Sequence, residues 1–165
     1  MIGHNPALRS ADLAILDAAT GAVLHTVREV DATALAVDAA RGHVVGLGLS
    51  VGSNGGPASV STFETRSGRT IRSLTVVQTD APDFGALAVD ARRHRAAVAT
   101  WEEGQPWSQV SAIDTRSGRL LRQVRVVGTG RPIVAVDEQT ARIFVAHNTF
   151  SDEGNTVSVF DATRL

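Results

Sequence analysis

The sequence predicts an all-β fold made of repeated, four-stranded antiparallel sheets. Three observations predict it. One ten-residue segment recurs four times, as DLAILDAATG at 12–21, SVSTFETRSG at 59–68, QVSAIDTRSG at 109–118 and TVSVFDATRL at 156–165. Its acidic residues, Asp17, Glu64, Asp114 and Asp161, are spaced 47, 50 and 47 residues apart. A second segment built on Ala-Val-Asp recurs three times, from Ala34, Ala86 and Ile133, always in the same order relative to the first. Within the copies the residues alternate with a period of two, as Val157, Val159 and Asp161 do with Ser158 and Phe160, which is the pattern of a strand. No stretch sustains a helical period with caps.

The elements follow in order. Met1 to Asn5 aligns with Phe144 to Asn148, so the chain opens in the second strand of a unit. The 12–17 segment is a third strand. Asp17 to Gly21 then turns the chain, with the acidic side chain capping the turn and glycine taking its positive-φ corner, and Val23 to Val30 returns as an outer strand. Ala34 to Val77 and Ala86 to Val127 each read as a complete unit of inner, second, third and outer strands. Their inner hairpins turn at Ala39 to Gly42 and Ala91 to His94, and their outer hairpins turn at Glu64 to Gly68 and Asp114 to Gly118. The last unit, from Ile133 through the turn at Glu138 to Ala141, supplies inner, second and third strands up to Leu165.

Four antiparallel strands every 40–50 residues is the signature of a β-propeller blade. A single twisted sheet cannot bury both of its faces, whereas blades stacked around an axis can. Val37, Val89, Val136, Ile113, Phe160, Val124 and Val126 are expected to fill the layers between blades. The 157–161, 114–127 and 133–148 segments together resemble the YVTN-repeat, surface-layer-type β-propellers, with Phe144-Val145-Ala146-His147-Asn148 at the strand end that names the family. The resemblance covers essentially the whole chain. It implies seven-bladed rings, about 340 residues at about 48 per blade, and a secreted, periplasmic or cell-surface location. This chain departs from it in its shorter length and in longer, less regular loops after the second strand. Its 165 residues amount to about 3.4 blades: partial blades at 1–30 and 133–165 flank full blades at 34–77 and 86–127. Three explanations stand open: a fragment of a longer ring, a second copy that completes the ring, or true chain ends that lie elsewhere.

Composition narrows the chemistry. There is no cysteine, which excludes disulfides, thiolate metal sites and cysteine nucleophiles. All 16 basic residues are arginine, and tyrosine is absent, which removes lysine Schiff-base and tyrosine acid–base chemistry. The arginine bias fits a GC-rich genome. The net charge of −1 gives no electrostatic footprint for nucleic acid. No apolar run is long enough to span a bilayer. The first ten residues lack the charged start and apolar core of a signal peptide.

Alternating strand direction sorts the connections onto two ends. The short acidic turns and the Asp38, Asp90 and Asp137 turns share one. The long loops, 5–11, 50–57, 101–108 and 149–155, together with the connections at 78–84 and 128–132, share the other, and loops on a rigid scaffold are where binding concentrates. The candidate ligand-binding residues there are His4, Asn5, Trp101, Glu102, Glu103, Trp107, His147, Asn148, Asp152 and Glu153. Trp101 and Trp107 flank paired carboxylates, which suits a stacking and hydrogen-bonding platform; the competing reading packs both indoles against a neighbouring blade. His4 and His147 share a repeat position, but the units between them place Gly48 or Leu49 and Thr100 there, so no three-histidine metal site is expected. Asp152, Glu153, Ser151 and Asn155 lack the spacing of a calcium loop. Asp31, Asp80 and Asp83 fall near the axis entrance. His25, His43 and His94 read as surface residues. No phosphate loop, Gly-x-Ser-x-Gly or Ser-His-Asp order occurs. The reading is a non-catalytic module that binds a protein or small molecule through its long-loop end, with no catalytic residue, no metal and no cofactor. The alternatives are part of a propeller enzyme, a hydrolase or redox subunit whose axial site other blades complete, and a scaffold for assembly.

Overall fold

The computed structural model describes residues 11–30, 32–49, 57–77, 84–148 and 156–164. The described residues form thirteen strands and no helix. They are β1 (Ala11–Leu16), β2 (Val23–Val30), β3 (Ala34–Asp38), β4 (His43–Leu49), β5 (Ala58–Glu64), β6 (Thr70–Val77), β7 (Phe84–Asp90), β8 (Arg95–Trp101), β9 (Trp107–Asp114), β10 (Arg119–Val127), β11 (Arg131–Asp137), β12 (Arg142–Asn148) and β13 (Thr156–Asp161). Each strand pairs antiparallel with its sequence neighbour inside one of four sheets. These are β1-β2, β3-β4-β5-β6, β7-β8-β9-β10 and β11-β12-β13. The fold is the all-β propeller arrangement that the repeat predicts.

The outer hairpins close as the acidic turns require. In β9–β10 the Asp114 carboxylate accepts from the amides of Arg116 and Ser117, both at 2.8 Å, and the Gly118 amide donates to the Asp114 carbonyl. Gly21, Gly68 and Gly118 take the left-handed corner with φ of 72°, 69° and 63°. Burial pushes the Asp114 carboxyl up, but the amides of Ser117 and Arg116 outweigh it and hold the group below its ordinary range. The inner hairpins turn through one more left-handed residue. Gly42 occupies it in β3–β4, whereas His94 and Ala141 occupy it elsewhere, each at φ 57°.

Alternation along the strands sends one set of side chains to each neighbouring sheet. Val45, Leu47, Leu49, Val60 and Val76 of the second sheet pack on Ala96, Val98 and Ile113 of the third. The other face of the third sheet, Ala97, Ala99, Val110, Ala112 and Val126, packs on Ile143, Val145, Ala141 and Ala162 of the fourth. The small alanines of β8 let its neighbours approach from both sides. Val89, Val136, Ile113, Phe160, Val124 and Val126 thus lie in the seams, as expected. Val37 does not. It is 60 % exposed, because it faces away from the third sheet towards the side where, among the described residues, the first sheet contributes β1 and β2.

Polar links repeat across the seams. Arg72 of β6 donates to the Ser117 carbonyl, and Arg122, at the matching place in β10, donates to the Arg164 carbonyl at 2.8 Å. Arg95 donates across the third seam to the Ala162 carbonyl. Nearer the inner strands, Arg93 holds the buried Asp90 carboxylate at 3.0 Å and donates to the Glu138 carbonyl at 2.7 Å. The Glu138 carboxylate in turn accepts from the Ala91 amide at 3.0 Å. Asp38, likewise fully buried, accepts from Thr115 of the next sheet. His43 and His94 are half-buried rather than surface residues, with their Nδ1 atoms inside the packing.

Candidate functional site

The long-loop end of the third and fourth sheets is where the structure gathers candidate residues. The chain leaves β8 at Trp101, runs through 102–106 and re-enters β9 at Trp107. Trp101 belongs to the packing. It is 9 % exposed, and its indole N–H donates to the Gln105 carbonyl at 2.9 Å, closing the loop on itself. The Gln105 amide donates to the Glu102 carbonyl, and Gly104 turns the chain at φ 86°. Glu103 and Gly104 form the exposed tip, with Glu102 and Gln105 half-buried beside them.

Trp107 starts β9 opposite Val127 of β10. It is only partly buried, and the Arg125 guanidinium stacks 4.1 Å from the centre of its ring. The two residues are diagonal neighbours on adjacent strands, within reach of long side chains. An exposed cation–π contact of this kind is worth about 0.5–1 kcal/mol, enough to orient the indole on a strand end. Arg125 was not among the residues the sequence singles out. Its place depends on the register shift between Leu120 and Arg122, which sets the side of β10 it occupies.

One residue further along, Ser108 points to the other face and is fully buried. It meets His147 from β12 of the next sheet, with Nε2 to Oγ at 2.9 Å. The imidazole is 1 % exposed, and Gly128 lies against its ring. The Gly128 amide donates to the Pro106 carbonyl at 3.0 Å, so the same residue ties the 102–106 loop to the seam. Burial lowers the His147 pKa, since a charged ring there would lose its water. The unfolded chain, with histidine at about 6.5, therefore binds the proton more readily than the folded one. The stability this residue contributes is full above that value and is lost as pH falls towards the depressed folded value. Urea midpoints at pH 7.5 and 5.5 should accordingly diverge less in His147→Gln than in the parent chain. Equal slopes in the two proteins would remove His147 as the titrating group.

Of the residues expected to bind, the structure thus brings Trp101, Glu102, Glu103, Trp107 and His147 to one rim. Trp101 and His147 support it from within, while Trp107, Glu102 and Glu103 reach its surface. Asn148 ends β12 opposite Arg131 in register. His4, Asn5, Asp152 and Glu153 lie outside the described residues, as do Asp31, Asp80 and Asp83. Among the described residues no group of three or more histidine, cysteine, aspartate or glutamate side chains is arranged to hold a metal ion.

No family model and no curated protein matches the sequence. Solved structures do resemble the fold. The Dos1 propeller superposes with a TM-score of 0.61 at 12 % identity, over 92 % of this chain and 40 % of that one. The WD40 repeats of RRP9 superpose with a TM-score of 0.57 at 11 % identity, over 90 % of this chain and 45 % of theirs. The chain therefore has a propeller fold and spans less than half the length of either neighbour.

Proposed function

We propose that the chain is a non-catalytic interaction module that engages a protein partner at the long-loop rim of its third and fourth sheets. The observation that carries this reading is the Trp107–Arg125 pair, an aromatic face and a cation held at the ends of rigid strands beside the Glu102–Glu103 tip. Tryptophan and arginine dominate the energetics of protein interfaces when a partner covers them. The propeller scaffold supports the reading because it fixes loops from successive blades on one surface. We also infer that the repeat is of the YVTN type, on the strength of the Asp-Thr-Arg-Ser-Gly turn at 114–118 and the Phe-Val-Ala-His-Asn end of β12.

The test compares partners captured from the native source by three tagged proteins: the parent chain, a Trp107→Ala/Arg125→Ala variant, and Arg66→Ala on the opposite, short-turn end. A partner bound by the parent and by Arg66→Ala, and weakened at least about tenfold in the rim variant, is the expected result. A partner lost only with Arg66→Ala would place the binding surface at the other end.

A further inference from the structure

Each of the two seams that join the second, third and fourth sheets brings two apolar sheet faces together, and the two terminal faces keep the same character with no described residue packed over them. On the fourth sheet, Ile133, Val157 and Val159 point away from the third sheet and are 58 %, 61 % and 52 % exposed. Phe144 and Ala146 share that side by alternation along β12. At the other end of the stack, Leu16 and its register partner Val23 of the first sheet are 54 % and 61 % exposed, and Leu35 and Val37 on the neighbouring β3 are 48 % and 60 % exposed. One surface ends the stack in the direction of chain travel, and the other begins it. They are the two halves of the seam that recurs inside the molecule.

We propose that these two surfaces dock on each other between two copies of the chain, the leading face of each covering the trailing face of the other, to close one ring. Continuity with the internal seams is the first support. The second is a matched polar group. Arg95 crosses its seam to the carbonyl of Ala162, the residue after the acidic turn residue Asp161. Arg142 holds the same repeat position as Arg95 and sits at the start of β12 on the uncovered sheet. The corresponding acceptor on the trailing surface is the carbonyl of Ala18, after Asp17. The third support is size. This chain matches 40 % of one solved propeller and 45 % of another, so two copies approach the length of one ring. A contact between two different surfaces either closes or propagates, and ring closure with two copies covers both of these faces.

Light scattering on the purified 165-residue chain should give twice the 17.3 kDa of one copy. Val157→Glu on the leading face and Leu35→Glu on the trailing face should each yield a folded monomer by circular dichroism. Both residues are solvent-exposed in the single chain, so the substitutions spare its core, and Val159→Glu provides a second leading-face variant. An equimolar mixture of Val157→Glu and Leu35→Glu should regain dimer with a Kd at least about tenfold weaker than the parent's, because one of the two junctions is restored. Arg142→Ala should weaken the parent dimer without abolishing it. A parent chain that stays monomeric at tens of micromolar, on the order of −6 kcal/mol, would overturn the proposal. So would a dimer indifferent to Leu35→Glu, which would mean two leading faces meeting, and so would open-ended assembly.

Discussion

Leu47→Ala is expected to destabilise the fold by about 2–5 kcal/mol, the range for truncating a fully buried leucine. Leu47 is completely buried in the middle of β4, inside the seam between the second and third sheets. The cluster around it holds Val45, Val60, Val98 and Ala96, with Leu49 and Leu87 beside them. These are held on paired strands that cannot slide inward to fill a hole without breaking their registers. The value should therefore fall in the upper half of the range. Urea unfolding followed by tryptophan fluorescence would measure it, with Val157→Ala, measured where the chain is monomeric, as a control expected within about 0.5 kcal/mol of the parent. A Leu47→Ala loss below about 1 kcal/mol would mean that the seam is loosely packed.

Gly128→Ala is the second large effect. A Cβ on Gly128 would lie 2.6 Å from both Cγ and Nδ1 of His147, far inside contact distance. The ring has no free direction in which to retreat, because it is buried and engaged by Ser108. Relief requires moving the Gly128 backbone, which loosens its hydrogen bond to Pro106 and the 102–106 loop with it. Overpacking of this kind costs about 1–3 kcal/mol. The mechanism predicts strong coupling between the two positions. In a His147→Ala background the new methyl group finds space and only the strain of an L residue at φ 155° remains, so Gly128→Ala should then cost less than it does in the parent chain. Additive losses in the double-mutant cycle would show that the clash with the ring is not the cause.

The repeat made the strands and their pairing readable. Asp114 and Gly118 mark an outer hairpin because an acidic cap and a left-handed glycine are local requirements, met within five residues. The seams were readable for the interior sheets for the same reason: a period of two allows only two faces. Val37 shows where that logic stops, since alternation tells which face a side chain takes but not whether anything lies opposite. The rim was less legible. Trp101 and Trp107 look equivalent in sequence, yet one is buried and the other stacks under Arg125, and the difference is set by strand phase and a register shift. His147 gave no hint of Ser108, which lies 39 residues earlier and meets it only through the packing of two sheets. The burial of Asp38 was invisible for a related reason, because its partner Thr115 lies across a seam, and that of Asp90 because its local partner Arg93 is itself anchored across a seam on the Glu138 carbonyl.

The inner hairpin corner is left-handed in all three complete copies, yet only one of them spells it with glycine. Alanine and histidine accept the same φ of 57° at a modest strain, and the flanking ladder holds them there. The geometry of that corner is therefore inherited from the strands on either side and is not written at the corner itself. Selection can let its identity drift while the hairpin stays in place, and a search pattern that demands glycine there would pass over two units of the three.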